Sequence, residues 1–383
     1  MDNFEFQNPV KLLFGRGKLA QVGKAAAQFG TKALLVTYGD PGRKALVDRV
    51  LAHLGEAGIS YAVFDKVQQN PLTTLVGEGA AFAREKGCDV VIGLGGGSAM
   101  DIAKGIAFMA VNPGEVSEYI FGKVGIGALP LILITTTAGT GSEGNNVAVF
   151  TNPQTKDKKG LVSPYVYPKI AIIDPELMTT LPKRIIAGPG LDVLYHAIES
   201  YIAKRSHPVS EMLSLQAIRL IGEYLPKVYD DPGDLDSWDK VALANTLAGM
   251  AISCAGTTLP HAMEHPLSGL LNIVHSEGLA AIYLPIMEYT YLSLPQKFAD
   301  IAAAMGEDIK GLPVEVAAQK SIGAVAKIMA KVNLHPTLTE LGVKEEHIEW
   351  LTNNALTLMK AVMENNPKIP TADEVKEIYR KCM

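Results

Sequence analysis

The sequence has few cysteines, no excess of positive charge and no long apolar run. Its three cysteines are far apart and form no CxxC pair, which excludes a zinc ribbon and fits a reducing compartment. Lys and Arg total 35 against 40 Asp and Glu, so the net charge of −5 argues against electrostatic nucleic-acid binding. No uncharged apolar segment approaches the roughly 20 residues that span a bilayer, and the N-terminus does not resemble a signal peptide. We therefore expect a cytoplasmic protein without nucleic-acid or membrane partners.

The pattern of the 383 residues changes near residue 180. Before it, short apolar runs alternate with helical periodicity; these runs are 32–38, 61–64, 89–94, 129–134 and 169–174. Runs without polar alternation are buried on both faces, and intervening helices imply parallel strands. We therefore predict a doubly wound α/β domain over residues 1–181. Beyond it, helical periodicity broken by Pro and Gly predicts an all-helical domain over residues 182–383.

Two polar loops follow apolar runs in the predicted α/β domain. Gly95-Gly96-Gly97-Ser98 leads into an apolar helix, where free backbone N–H groups and the helix dipole favour a phosphate. The spacing is neither GxGxxG nor that of a Walker loop. The second loop, residues 135–143, is rich in hydroxyl groups. Each loop alone is compatible with an ordinary turn, but together, at the carboxyl ends of strands, they favour nucleotide binding.

Four of the eight histidines form a spaced set with one aspartate. Asp192 and His196 are four residues apart, as are His261 and His265, and His275 follows. Residues four apart on a helix share one face. Imidazoles with one carboxylate suit a divalent transition metal that keeps a position open for substrate. The pattern predicts a metal site, although a lone histidine is more often a surface or core residue. The remaining histidines lie in charged or loop-like contexts and are predicted to be surface residues: His53, His207, His335 and His347.

Taken together, these motifs resemble the iron-activated (group III) alcohol dehydrogenases. The matching segments, in order, are the glycine loop 95–101, the threonine loop 136–140, the helix 190–199 and the histidine segment 261–275. The resemblance implies a Rossmann-like dinucleotide-binding α/β domain and an all-α metal-binding domain, an architecture shared with dehydroquinate synthase-like proteins. It also implies an active site in the cleft between the two domains.

The resemblance further assigns roles to single residues. It implies four metal ligands: Asp192, His196, His261 and His275. It implies that His265 lies near the nicotinamide as a catalytic residue that relays a proton. The positions that it assigns to cofactor binding are Asn70, Gly96, Gly97, Ser98, Asp101, Thr136, Thr137, Thr140, Val149 and Lys158.

The segment after the first predicted strand bears on the choice of cofactor. In the family that this chain resembles, members that prefer NAD carry an acidic residue there, which binds the ribose hydroxyls and repels a 2′-phosphate, whereas members that prefer NADP carry small residues. By that resemblance Asp40 favours NAD, whereas Gly39 and Arg43 favour NADP. We include Asp40 among the cofactor-binding residues and expect NAD, with NADP as the alternative. We expect Fe²⁺ as the metal, although Zn²⁺ or another divalent ion would suit the same ligands.

The expected reaction is hydride transfer between a small primary alcohol or aldehyde and NAD(P), with the metal polarising the substrate oxygen. A glycerol-type polyol dehydrogenase is the alternative. A dehydroquinate synthase-like lyase is disfavoured, because segments 192–199 and 259–278 contain no Lys or Arg for a phosphorylated substrate. A non-catalytic nucleotide or metal sensor is least favoured, because His265 adds a spare histidine to a complete ligand set. The resemblance also implies a homodimer or larger homo-oligomer.

Overall fold

A computed structural model describes residues 3–383, in which strands occupy only the first half of the chain. The strands are β1 (Lys11–Phe14), β2 (Lys32–Val36), β3 (Ser60–Phe64), β4 (Val90–Gly95), β5 (Leu131–Thr135), β6 (Val147–Thr151), β7 (Lys158–Val162) and β8 (Ile170–Ile173). The α-helices of this half are α1 (Val22–Ala26), α2 (Lys44–Glu56), α3 (Thr73–Lys86), α4 (Gly97–Met109) and α5 (Val116–Ile120).

From Lys183 onward, the regular elements are helices. They are α6 (Lys183–Ile202), α7 (Pro208–Asp230), α8 (Leu235–Ala255), α9 (Leu259–Leu271), α10 (His275–Thr290), α11 (Pro295–Ala304), α12 (Val314–Lys331), α13 (Glu345–Thr357), α14 (Lys360–Met363) and α15 (Ala372–Lys381). Within residues 3–383, no single helix is long and apolar enough to cross a membrane, and only the bent pair α8 and α9 meets that test jointly.

Six strands form one parallel sheet in the order β1-β8-β5-β4-β2-β3. The central strands β4, β5 and β8 are buried along their whole length, because helices cover both faces of the sheet. Each of the five apolar runs in the sequence forms one strand of this sheet, as predicted. Two features were not predicted: the half-exposed edge strand β1, and the antiparallel hairpin of β6 and β7.

The order of the strands reverses at β2, which pairs with β3 on one side and with β4 on the other. In open α/β sheets, ligands bind in the crevice at the carboxyl ends of strands where the order reverses. The glycine loop begins at this point, since β4 ends at Gly95 and α4 begins at Gly97. Gly95 has φ +150°, a conformation that favours glycine.

The helical half contacts the α/β half through α8. Gly141 has φ +56° and lies so close to α8 that a Cβ on Gly249 would be 2.1 Å from its carbonyl oxygen. The Asn245 side-chain oxygen accepts the N–H groups of Gly139 at 2.7 Å and Gly141 at 3.0 Å. This contact holds the threonine loop of the α/β half beside the helices that carry the histidines.

Candidate active site

Three helices bring one carboxylate and two imidazoles together. Asp192 on α6, His261 on α9 and His275 at the start of α10 each offer a ligand atom, and these atoms lie within 4.8 Å of one another. Asp192 Oδ1 is 3.7 Å from His261 Nε2 and 3.9 Å from His275 Nε2. Asp192 Oδ1 and His261 Nε2 are both buried without a hydrogen-bond partner. Buried polar atoms are normally paired, so this arrangement fits a cation between them.

Two further carboxylates hold the imidazoles from behind. His261 Nδ1 lies 2.7 Å from Glu199 Oε1, and His275 Nδ1 contacts Glu264 Oε2. Because each Nδ1–H donates to a carboxylate, each Nε2 keeps its lone pair for a metal, which is the usual arrangement behind metal-binding histidines. Sequence reasoning assigned no role to these glutamates. The available signal was spacing, since Glu199 follows Asp192 by seven residues, two turns along the same helical face.

Burial governs the protonation of Asp192, His196 and His275, whereas the neighbouring Glu199 and Asp192 carboxylates raise the pKa of His261 against the effect of burial. Burial raises the pKa of Asp192 to about 7, because a buried carboxylate loses its hydration. It lowers the pKa of His275 to about 4 and that of His196 well below the usual value, which leaves these rings neutral. Neutral imidazoles are the form that ligates metals.

His196 and His265 complete the cluster. His196 Nδ1 is 3.7 Å from Asp192 Oδ1 and 3.4 Å from the Gly139 carbonyl oxygen, and its ring stacks on that of His261 at 4.7 Å. The His265 ring lies 5.7 Å from that of His275, and its buried Nδ1 lacks a hydrogen-bond partner. Glu264, His265 and His275 form a second group of close ligand atoms. The structure thus brings all five predicted metal-site and catalytic residues together.

A cavity of about 380 Å³ joins this cluster to the glycine loop. His196, His261, His265 and His275 all line it. The predicted cofactor-binding residues that line it are Asn70, Gly97, Ser98, Asp101, Thr140, Val149 and Lys158. The cavity therefore places the histidine cluster and most of the predicted cofactor residues along one continuous space.

Four predicted cofactor residues do not line this cavity. Gly96 and Thr137 pack against each other, since a Cβ on Gly96 would lie 2.9 Å from Thr137 Oγ1, and Thr136 is buried. Asp40 is exposed and forms an ion pair with Arg43 at 2.7 Å. The Arg43 guanidinium in turn lies 4.3 Å from the centre of the Tyr38 ring. The structure therefore keeps the Asp40 carboxylate at the protein surface.

Sequence reasoning missed one wall of the cavity. This wall comes from the end of α8 and from the region around α13 and α14; its residues include Ile252, Cys254, Leu358, Met359, Ala361 and Val362. The segment beyond about residue 290 carries no motif that would have identified the last four of these residues, and no motif marks the end of α8. Of the histidines predicted at the surface, His335 is exposed, whereas His53, His207 and His347 are partly exposed.

Comparison with known proteins identifies the family. Residues 9–175 match the model for iron-containing alcohol dehydrogenases, and residues 186–383 match the C-terminal model of the Fe-containing alcohol dehydrogenase family. The chain is 34% identical to the NAD-dependent methanol dehydrogenase of Bacillus methanolicus over 100% of both chains. It is 37% identical to the 1,3-propanediol dehydrogenase of Klebsiella pneumoniae, over 99% of this chain and 98% of that one.

A solved structure gives the same answer for the fold. The archaeal halo-thermophilic alcohol dehydrogenase from a Red Sea brine pool matches with a TM-score of 0.94 at 35% identity, covering 100% of both chains. The fold and the site define a metal-dependent oxidoreductase that acts on CH–OH groups. The chain belongs to the iron-containing alcohol dehydrogenase family. The predictions of the family, the fold class, the reaction class and an iron- and NAD-type cofactor set are confirmed.

Proposed function

We propose that this chain transfers hydride between a small primary alcohol or aldehyde and NAD, with Fe²⁺ held by Asp192, His196, His261 and His275. The observation that carries the proposal is the pair of buried, unpartnered atoms Asp192 Oδ1 and His261 Nε2, 3.7 Å apart. A divalent metal there would supply a Lewis acid that polarises the substrate oxygen, and the nicotinamide would carry the hydride.

The chain's own residues prepare this site in three ways. Glu199 fixes the orientation of the His261 imidazole, and Glu264 fixes that of His275. Helix α8 keeps the threonine loop against the histidine cluster. His265 lines the cavity, and its buried Nδ1 has no hydrogen-bond partner; burial holds its pKa well below the usual value, so the resting ring is neutral. We assign it the proton relay between the substrate oxygen and solvent.

The cofactor would extend from the histidine cluster to the glycine loop. Gly97 and Ser98 lie at the N-terminus of α4, where free N–H groups and the helix dipole favour a phosphate. Asn70 donates to Asn272 Oδ1 at 2.8 Å and to the Ile273 carbonyl at 3.1 Å, which links the α/β half to the loop before His275. Because the glycine loop lies in the first half of the chain and the histidine cluster in the second, we propose a cofactor domain, residues 1–181, and a metal domain, residues 182–383.

A diol or polyol is the second candidate substrate class. The identity of 37% to a 1,3-propanediol dehydrogenase favours it.

We also propose that the enzyme is a cytoplasmic homodimer or larger homo-oligomer. Light scattering of the purified protein would test the oligomeric state. The free thiols of Cys88, Cys254 and Cys382 support a reducing compartment.

The test is anaerobic formation of reduced nicotinamide by metal-stripped protein, with and without added Fe²⁺. NAD⁺ and NADP⁺ are offered separately, with ethanol, 1,3-propanediol and glycerol as substrates. We expect iron-dependent reduction that is faster with NAD⁺. Absence of reaction with both cofactors, in the alcohol and in the aldehyde direction, would overturn the proposal.

A further inference from the structure

The cavity carries more positive than negative side chains, although the whole chain has a net charge of −5. Lys158, Lys159 and Arg205 line it, whereas Asp101 is its only acidic lining residue within the part of the chain described, 3–383. The Asp101 carboxylate is already occupied, since it accepts from Ser142 Oγ at 2.8 Å and from Val149 N–H at 3.0 Å. The absence of Lys and Arg near the histidines in sequence therefore does not leave the cavity without cations.

Both lysines have partners within the protein. The Lys158 ammonium lies 3.3 Å from Asn70 Oδ1 and 3.7 Å from Glu264 Oε2. Lys159 Nζ lies 5.1 Å from the centre of the Phe121 ring. The guanidinium of Arg205 makes neither an ion pair nor a hydrogen bond with any residue in the described range; only its backbone N–H is bonded, to Asn365 Oδ1 at 3.2 Å. Arg205, an exposed residue, is thus the cation of the cavity lining that has no partner within the described protein.

The guanidinium of Arg205 is placed on the cavity wall by its neighbours. Its Nη2 packs over Gly256, where a Cβ would lie only 2.5 Å away. Gly256 lines the same cavity and has φ +74°, a conformation that favours glycine. A residue without a side chain therefore makes the room that the guanidinium occupies.

Capping of α8 does not account for this arginine. A cation near the C-terminus of a helix can serve the last carbonyl groups. Here, however, the carbonyls of Ala255 and Thr257 accept from Asn365 Nδ2 at 2.8 and 2.9 Å, and that of Gly256 accepts from Ser200 Oγ at 3.2 Å. Other donors already satisfy these groups.

The position of Arg205 in the chain separates it from the histidine cluster. Helix α6 carries Asp192 and ends at Ile202, which at 1.5 Å per residue separates the two backbone positions by about 15 Å. Arg205 lies three residues beyond that end, and it lines the same cavity as the histidines, so a ligand that contacts both must be extended. The same cavity wall carries apolar side chains, among them Ile252, Leu358 and Met359.

We propose that Arg205 determines specificity by binding the carboxylate of an extended aldehyde or alcohol substrate, whose other end reacts at the histidine cluster. This inference rests on the proposed function. Guanidinium and carboxylate match in a bidentate geometry, which a neutral chain end cannot form. The preferred substrate is thus an ω-oxo or ω-hydroxy carboxylate of several carbons.

The experiment compares adipic semialdehyde with hexanal, which share a six-carbon chain and differ in the carboxylate. The Fe²⁺-loaded, full-length protein is assayed with NADH, and the ratio of the two kcat/KM values is measured. We expect the wild type to favour the semialdehyde, and Arg205→Gln to lower the ratio about 10- to 100-fold, as expected for a lost hydrogen bond to a charged group. Arg205→Lys should recover part of the preference. The matched control is Lys204→Gln, an exposed neighbour whose Nζ bonds to the Glu364 carbonyl, and its ratio should equal that of the wild type.

Each other outcome has a separate meaning. A ratio that is unchanged in Arg205→Gln, or a wild type without preference, would overturn the role of Arg205 and leave the proposed function intact. A higher KM for NADH or NADPH at an unchanged ratio would show that Arg205 binds a cofactor phosphate, and the substrate inference would be wrong. If the loaded wild type reduces neither aldehyde, the proposed function itself fails.

Discussion

At the scale of single residues, the candidate metal site depends on atoms that have no partner within the protein. Asp192 Oδ1 and His261 Nε2 face each other in a buried space, and Glu199 accounts for the other ring nitrogen of His261. Glu199 is itself anchored, because its Oε2 accepts the Thr258 N–H at 2.7 Å. A fixed second carboxylate of this kind sets the tautomer and direction of the ligand.

We predict that His261→Ala loses bound iron and activity together, because the site loses a ligand that no neighbour replaces. Glu199→Gln should weaken iron binding about 10- to 100-fold, since only the orientation of the ligand is disturbed. Bound iron is measured after gel filtration, alongside the rate of NADH formation. His335→Ala, which changes an exposed histidine, is the control. Full iron content in His261→Ala would contradict the assigned ligand set.

His265 should behave differently from His261. We predict that His265→Ala retains its iron but slows turnover about a hundredfold or more, because the proton relay is lost. The measurements are iron content, kcat and the dependence of kcat on pH, since a relay leaves its own titration in that profile. Loss of iron from this variant would instead assign the metal to the neighbouring group of Glu264, His265 and His275.

At the scale of elements, the glycine loop places the Gly97 backbone close to the Thr140 side chain of the threonine loop. A Cβ on Gly97 would lie 2.4 Å from Thr140 Cγ2, so a larger residue must displace the threonine loop or the start of α4. We predict that Gly97→Ala raises the Kd for NADH at least tenfold and leaves iron content unchanged, because only the proposed phosphate contact moves. Fluorescence titration with NADH measures this. Gly77→Ala is the matched control, since the position lies on α3 with open space around it; equal affinities in the two variants would exclude a phosphate role for the loop.

The elements also show which parts of the fold are encoded locally. Strands β2 and β5 were predicted because unbroken apolar runs are buried on both faces of a parallel sheet. Strand β1 was missed because it is short and half-exposed, so its pattern resembles that of a loop. Metal-site candidates could be found from spacing within helices. The cavity wall around Met359 could not, because it approaches the histidines only through tertiary packing.

At the scale of the whole molecule, the two halves are joined by close backbone contact and one buried polar network. Asn245 donates to Glu143 Oε1 at 2.8 Å while it accepts from the threonine loop, across more than 100 residues of sequence. Gly139 of that loop also contacts His196 through its carbonyl oxygen. The proposed metal and cofactor sites therefore share one support, the contact between α8 and the threonine loop. No local pattern reveals such a contact.

The last prediction tests this support. Gly249→Ala places a methyl group 2.1 Å from the Gly141 carbonyl oxygen, so α8 and the threonine loop must separate. Overpacking of this kind costs about 1–3 kcal/mol of unfolding free energy, and the shift of the loop should lower kcat as well as the affinity for NADH. The control is Gly323→Ala on α12, where an added Cβ would meet no atom within 4 Å. Its activity should equal that of the wild type, and its melting temperature should be equal or slightly higher. If Gly249→Ala melted earlier but kept the wild-type kcat and NADH affinity, the contact would serve stability alone, and the geometry of the site would have to be set by the loops themselves.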